Sequence, residues 1–241
     1  MSDEKTTIAI EETEDQKSII KEMIAAKVCF GHKSSVTHPK MKPFIVGVKN
    51  TQTIIDLEKT MEGLEKARAF FNQLVKAGKT ILFLDTNPLT RDITKEAAQK
   101  SKSFYLINRW IGGFLTNFPV ISKRLEYFRN LKEKNSQGEL LKYPKKEQMK
   151  FQKEITDLAE MFYGVEDCQK MPEALMVVNI RRHQTAAREA RRKNIPMIAI
   201  VDTDSDPTAA DYPIFGNDHF RSSVQYLLNQ LISGIINENQ S

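Results

Sequence analysis

The sequence is poor in cysteine and tryptophan, and it lacks long hydrophobic runs. Its two cysteines, Cys29 and Cys168, are far apart, so the disulfide framework of a small secreted domain is excluded and reduced thiols are expected. No segment approaches the roughly 18 consecutive apolar residues of a membrane span. The N-terminus also lacks the basic-then-apolar order of a signal peptide. These absences predict a cytoplasmic protein that is not bound to a membrane.

Glycine motifs for nucleotide phosphates are missing as well. In "NRWIGGFLTN" (108–117) the two glycines are adjacent, which fits neither G-x-G-x-x-G nor the P-loop pattern. Paired glycines allow a sharp turn, and Thr116 or Asn117 can cap the helix that follows. We therefore predict a structural corner in place of a phosphate loop. Its members are Trp110, Gly112, Gly113 and Asn117.

No catalytic or metal-ligand pattern is recognisable, so we expect no catalytic residue, no metal and no cofactor. Neither zinc-ligand spacing nor a catalytic triad is found among the cysteines and histidines. The residues considered for zinc are Cys29, His32, His38 and Cys168. One enzymatic alternative stays open, because Asp202, Asp204 and Asp206 follow a strand and can hold a divalent cation for phosphoryl transfer. The competing interpretation is a turn in which these carboxylates accept backbone N–H groups.

Charge is unevenly distributed along the chain. Residues 1–15 carry a net charge of about −5 and no aromatic residue, which predicts a flexible acidic tail. The total of +5 therefore leaves about +10 on the remaining residues. Such an excess favours a polyanionic partner, because lysine and arginine release counterions when they face phosphates. An ordinary solubilising surface is the alternative.

Short apolar runs alternate with helical patterns along most of the chain. The runs at 80–85, 103–107, 174–179 and 197–202 are typical of strands buried on both faces. Helical patterns at 58–77, 88–100, 184–193 and 217–236 separate or follow them. This alternation predicts a doubly wound α/β domain with a parallel sheet, formed by residues 16–116 and 166–241. A further helix is predicted to end near Phe30-Gly31, followed by short strands at 44–48 and 53–57.

The alternation is interrupted at 117–165. Two narrow apolar seams recur there at helical spacing: Phe118, Ile121, Leu125, Phe128 and Leu131, then Phe151, Ile155, Leu158 and Phe162. A strip of this width predicts an inserted antiparallel helical hairpin, a coiled coil whose two arms pack on each other. Alternatively, both helices cover the sheet.

Clusters of basic residues are the most informative candidates for binding. "NIRRHQTAAREARRKNIP" places cations before, along and after a helix, and "HPKMKP" places two on a proline-stiffened segment. Interaction with the helix dipole explains those at the helix end but not the others. The predicted contacts to RNA phosphates are Lys40, Lys42, Arg109, Lys123, Arg124, Arg181, Arg182, Arg191, Arg192 and Lys193.

Six short sequence segments, in a fixed order along the chain, carry a resemblance to a known family. They are "FGH" with "PKMKPFI", "IIDLEKT", "RWIGGFLTNF", "IPMIAIVDTDSDP" and "DYPIFGND". Together they resemble the bacterial small-subunit ribosomal protein S-two family from about residue 20 to residue 236. The resemblance implies a flavodoxin-like fold with a helical hairpin and no enzymatic activity. It also implies binding to the 3′ domain of small-subunit rRNA near the head–body junction, beside neighbouring small-subunit proteins, with ribosomal protein S-one docking nearby where it is present.

The chain departs from the family pattern at several positions. Thr37-His38 stands where the family usually has Trp-Asn, and Asp85-Thr86-Asn87 where it usually has Gly-Thr-Lys. His219 lies in a third altered block, "GNDHF". These departures predict a locally altered RNA surface.

Overall fold

The computed structural model of the protein describes residues 14–238. The helices are α1 Glu14–Ala25, α2 Leu57–Lys76, α3 Arg91–Lys100, α4 Phe118–Ser136, α5 Lys145–Phe162, α6 Gln184–Arg192 and α7 Arg221–Glu238. The strands are β1 Phe30–Lys33, β2 Ile45–Lys49, β3 Gln52–Ile55, β4 Ile81–Leu84, β5 Phe104–Leu106, β6 Ala174–Val178, β7 Met197–Val201 and β8 Tyr212–Phe215. Short 3₁₀ turns lie at Ser34–Val36, Pro39–Phe44, Glu139–Lys142 and Pro207–Ala209.

The predicted parallel sheet is confirmed. Within residues 14–238, the strands β5, β4, β6, β7 and β8 lie side by side in that order, and every neighbouring pair is parallel. Numbered along the chain, this is the 2-1-3-4-5 order of the flavodoxin-like fold. The apolar runs in the sequence predicted the first four of these strands, whereas β8 was not predicted. Pro213 weakens a strand assignment, yet the sheet accommodates it because β8 is an edge strand.

Alternate side chains of the central strands belong to two hydrophobic cores. In β4, Leu82 and Leu84 pack with residues of α4, α5 and α6. Ile81 and Phe83 pack on the other face with residues of α1, α2, α3 and α7. Because successive strand residues point to opposite faces, a strand that is buried throughout needs helices on both sides. The sheet is therefore doubly wound, as predicted.

Helices α4 and α5 bury the residues of the two predicted seams, with Phe151 only partly buried. The rings of Phe128 and Phe162 lie 6.3 Å apart, and Lys132 forms an ion pair with Glu166 at 2.7 Å. The seam residues also belong to the same core as the sheet residues of β4. The two helices thus contact each other and share a core with the sheet. A projecting coiled coil and its boundaries at 117 and 165 stay predictions.

The region before α2 differs from the prediction. Helix α1 ends at Ala25, and the predicted helix end near Phe30-Gly31 is the start of β1. Lys27 has a left-handed φ of 64°, a conformation that stops a helix. β1, β3 and β2 form a small antiparallel sheet in that order. A Cβ atom on Gly31 would lie 2.5 Å from the Thr203 side chain, so glycine allows β1 to cross the loop after β7.

The predicted acidic tail at 1–15 falls largely outside the described residues. Only Glu14 and Asp15 of that range are described, and they begin α1. In the described part of the chain, no helix has the length and apolar character needed to cross a membrane.

Candidate functional site

The "RWIGGFLT" stretch surrounds one carboxylate, that of Glu189 on α6. Only 6% of Glu189 is exposed. Its Oε1 accepts hydrogen bonds from Trp110 Nε1–H at 3.0 Å and from the Gly113 N–H at 2.9 Å. Its Oε2 accepts from the N–H groups of Leu115 and Thr116 at 3.1 and 3.2 Å, and from the Thr116 hydroxyl at 3.1 Å. The stretch is therefore a corner organised around a buried anion that another helix supplies.

The environment of Glu189 keeps it ionised. Burial raises the pKa of its carboxyl, but the hydrogen bonds from Trp110 and from the backbone N–H groups outweigh burial. The pKa of Glu189 therefore lies below its ordinary value of 4.5. Glu189 was not predicted as a site residue, because "REARR" is typical of a basic helix. The available signal was a single acidic residue within an arginine cluster.

The two glycines of the corner differ in what they require. Gly113 has a φ of 83°, a conformation that strains any residue with a Cβ atom. A Cβ atom on Gly112 would meet nothing within 4 Å. Of this pair, therefore, the turn itself demands glycine only at position 113.

The predicted side-chain cap of α4 is wrong. Asn117 is the N-cap residue, but its side chain makes no capping hydrogen bond. A cap accepts from the second or third N–H of a helix. Pro119 has no N–H at the second position, and the Val120 N–H donates to the Asn117 carbonyl at 3.1 Å. The Thr116 hydroxyl, the other candidate, binds Glu189.

Polar groups are buried where the parallel strands end. Asp85 follows β4, Asn179 follows β6, Asp202 follows β7, and Asp218 lies shortly after β8. Each is at most 6% exposed. Because the carboxyl ends of parallel strands meet at one edge of a sheet, these groups are neighbours. In many α/β proteins that edge binds a ligand, whereas here the protein's own side chains fill it.

His32 and the aspartates of this edge form an ionisable cluster. His32 Nδ1 lies 3.1 Å from Asp202 Oδ2, and its Nε2 lies 3.8 Å from Asp204 Oδ2. The hydrogen bond with Asp202 raises the pKa of His32 against the effect of burial. Neither carboxylate oxygen of Asp218 has a hydrogen-bond partner among residues 14–238, although His219 Nε2 is 3.5 Å from its Oδ1. Burial and then the charge of Asp202 raise the pKa of Asp218 well above its ordinary value.

Replacing Asp218 by asparagine is expected to raise the free energy of unfolding at about pH 7.5 by about 1–3 kcal/mol. The amide removes a carboxylate whose ionised form is disfavoured by burial and by the charge of Asp202. Because the folded pKa of Asp218 is raised, wild-type stability falls as the pH rises from the ordinary value of 3.8 through the folded pKa. The gain should therefore shrink as the pH is lowered toward about 4 in urea unfolding experiments.

The exposed Asp157→Asn provides the matched control and should change stability by less than about 0.5 kcal/mol. A gain in Asp218→Asn that does not vary with pH would contradict the assignment of Asp218 as a buried carboxyl with a raised pKa.

Each of the three aspartates of the enzymatic alternative is bound by groups of the protein itself. Asp202 accepts from the Thr203 N–H at 2.6 Å, Asp204 pairs with Arg181 at 2.7 Å, and Asp206 pairs with Lys40 at 2.8 Å. Burial raises the pKa of Asp206, but Lys40 and Thr208 outweigh it and hold that pKa at about 2. No set of three or more His, Cys, Asp or Glu residues within 14–238 is arranged to hold a metal. The geometry does not support the phosphoryl-transfer alternative.

Several basic side chains meet at a partly open cavity of about 520 Å³, which we call the arginine cavity. It lies between α6, the segment 36–39 and the loop 204–209. The predicted residues Arg181 and Arg191 line it together with Arg188, which the prediction omitted. Arg191 also donates to the Thr208 carbonyl at 2.9 Å. Lys40 reaches the same loop through its ion pair with Asp206.

The other predicted RNA contacts are distributed more widely. Arg109 is exposed and lines a different cavity, of about 410 Å³, with the acidic side chains of Asp157 and Glu160. The remaining predicted cations are exposed and form no ion pair within the described part of the chain. They are Lys42, Lys123, Arg124, Arg182, Arg192 and Lys193. The structure thus brings Lys40, Arg181 and Arg191 together and separates them from the surroundings of Arg109.

The departures from the family pattern fall in two places. Thr37 and His38 line the arginine cavity. Asn87 and His219 belong to the buried edge: the Asn87 N–H donates to Asp85 at 2.8 Å, and the His219 ring contacts a second histidine ring edge-on at 4.9 Å. The departures are therefore accommodated by local contacts within the fold.

Fold and site together define an α/β protein of the flavodoxin-like class. Its own polar side chains fill the sheet edge at which the carboxyl ends of the strands meet, and the arginine cavity lies beside that edge. A family model described as Ribosomal protein S2 matches residues 23–238. The chain therefore belongs to the ribosomal protein S2 family, as the resemblance in the sequence predicted.

Relatives in several bacteria are similar over most of their length. Each is named small ribosomal subunit protein uS2. The relative from Dictyoglomus thermophilum is 37% identical over 90% of this chain and 89% of its own length. That from Coprothermobacter proteolyticus is 37% identical over 90% and 81%. That from Dehalococcoides mccartyi is 35% identical over 90% and 89%.

Proposed function

We propose that this protein is a structural, non-enzymatic constituent of the small ribosomal subunit, which binds small-subunit rRNA in the cytoplasm and serves translation. The observation that carries the proposal is the family match over residues 23–238. The match spans the sheet, the corner and α6, so the basic residues lie on a scaffold that the family shares.

Electrostatics supports an RNA partner. The exposed Lys123 and Arg124 of α4 and Arg192 of α6 form no ion pair within residues 14–238, so their charge is available to phosphates. The five hydrogen bonds to Glu189 join α6 to the corner that precedes α4. Cations on the two helices are therefore held in one rigid frame, which reduces the entropy lost on binding.

The finer assignments rest on the resemblance in the sequence. We place the contact at the rRNA 3′ domain near the head–body junction, among neighbouring small-subunit proteins and close to ribosomal protein S-one. In this proposal α4 and α5 form a projecting hairpin that carries Lys123 and Arg124 toward RNA. The contact between Phe128 and Phe162 across the two helices supports such a hairpin.

Sedimentation of cell extracts tests the proposed function. A tagged copy of the chain should migrate with small ribosomal subunits and remain there after a wash at moderate salt. Its association should weaken steeply at higher salt, because phosphate contacts release counterions. Recovery of the chain only in the soluble fraction, while other small-subunit proteins remain in the particle, would contradict the proposal.

A further inference from the structure

The arginine cavity has the size of a small-ligand site, not of a flat contact with an RNA backbone. Its volume of about 520 Å³ lies within the range of roughly 300–1,000 Å³ that is typical of such sites. The other cavity described above, of about 410 Å³, differs in lining, because it contains two acidic side chains and only one arginine. The arginine cavity contains three arginines.

The floor of the cavity is apolar. Its hydrophobic lining residues are Val36, Pro39, Ile180, Ala187 and Ala209. A phosphate group gains nothing from such a floor, because it is charged and hydrated on all sides. A nucleobase gains from it, because its two faces are apolar and only its edge is polar.

The polar groups that line the interior of the cavity suit the polar edge of a nucleobase better than they suit a phosphate group. Asp204 and Asp206 both line it, and their carboxylates repel an anion while they can accept from amino or imino groups of a base. Their ion pairs with Arg181 and Lys40 hold those cations against the wall. Arg188 is different: its guanidinium has only a 3.4 Å contact with Gln184 of the same helix. It is the cation best placed to bind the phosphate attached to such a base.

His38 supplies an aromatic surface in the same lining. Its Nδ1 accepts a hydrogen bond from the Lys40 N–H at 3.3 Å, which orients the ring. Aromatic side chains and guanidinium planes are the groups on which unpaired RNA bases stack.

From this lining we infer that the arginine cavity binds one unpaired nucleobase of RNA, with its phosphate on Arg188 and its face against His38 and the apolar floor. The inference rests on the proposed function, which it deepens. The cavity binds one base of single-stranded RNA, and cations elsewhere on the surface bind backbone phosphates.

A pair of RNA probes of equal charge tests this inference on the full-length protein. One probe is an eight-nucleotide RNA single strand, and the other is the same strand without bases. The wild-type protein should bind the first about tenfold more tightly, the effect expected when one base is stacked. Ala187→Leu, which fills the floor without changing charge, should abolish the preference. Thr185→Leu adds a similar group on the same helix outside the cavity lining and should retain it.

His38→Ala gives a second measurement, at a residue that belongs to neither hydrophobic core, and it should reduce the preference several-fold. Equal affinity of the wild-type protein for both probes would overturn the inference while leaving phosphate binding, and so the proposed function, intact. A preference that survives in Ala187→Leu would also overturn it. The inference would be overturned as well if the protein showed no preference for the probe with bases but bound an acidic decapeptide, and if Ala187→Leu abolished that peptide binding. Failure to bind either probe or small subunits would instead count against the proposed function itself.

Discussion

Glu189→Ala is expected to destabilise the protein by about 3–5 kcal/mol, the typical cost of breaking a buried, charged hydrogen-bond network. The substitution leaves the indole N–H of Trp110 and the N–H groups of Gly113, Leu115 and Thr116 without their acceptor. Glu189→Gln keeps the shape but turns an NH₂ group toward N–H donors, so its loss should be intermediate. Urea unfolding at neutral pH measures both changes.

The pH dependence of this effect follows from the lowered pKa of Glu189. A carboxyl with a depressed folded pKa stabilises the protein above its unfolded pKa, and this stabilisation is lost as the pH falls through the folded value. The difference between wild type and Glu189→Ala should therefore be constant above the ordinary value of 4.5 and decline below it. Glu126→Ala, an exposed glutamate on α4, is the control and should have little effect. A loss below about 1 kcal/mol in Glu189→Ala would show that the corner does not depend on this carboxylate.

Removing three exposed cations of the α6 region should reduce the salt dependence of rRNA binding strongly. In the triple variant Arg182→Gln, Arg192→Gln and Lys193→Gln, the slope of log affinity against log salt should fall by about 2–3, close to 0.7–0.9 per lost phosphate contact. None of the three side chains forms an ion pair within residues 14–238, so the variant leaves no buried partner uncompensated. Filter binding to small-subunit rRNA across a salt series measures the slope.

A matched variant separates specific contacts from net charge. Lys21, Lys66 and Lys100 are exposed on α1, α2 and α3, which cover the opposite face of the sheet. Their replacement by glutamine removes the same charge and should leave the slope nearly unchanged. If both triple variants reduced the slope equally, binding would depend on overall charge, and the assignment of phosphate contacts to the α6 region would be wrong.

Much of the fold was predictable because its signals are local. The runs at β4, β6 and β7 are apolar throughout, as a strand covered on both faces requires, and the helices between them carry one apolar face. β8 was missed because Pro213 interrupts a short segment and the strand lies at the edge of the sheet. The early end of α1 was missed because Val28, which is buried, continued the apolar spacing past the true boundary.

The candidate site was predictable only in part. Arg181, Arg191 and Lys40 were identified from charge, and the structure places the two arginines in the lining of one cavity and Lys40 beside it. The partners of the charged residues were not identified. Glu189 lies in a basic cluster and Asp204 in an acidic loop, and neither segment indicates by its local sequence what its carboxylate binds. Arg188 was omitted for the same reason: its importance comes from the cavity that it lines.

By itself the sequence determined the α/β class, the excess of positive charge, the absence of nucleotide-binding glycine motifs and, through its ordered blocks, the family. Only the tertiary structure decided which charges compensate one another. Glu189 meets donors 73 to 79 residues away, and Arg181 meets Asp204. Periodicity reports which face of an element is apolar, but a hydrogen bond between distant residues depends on the path of the whole chain, which brings α6 against the corner and the loop after β7.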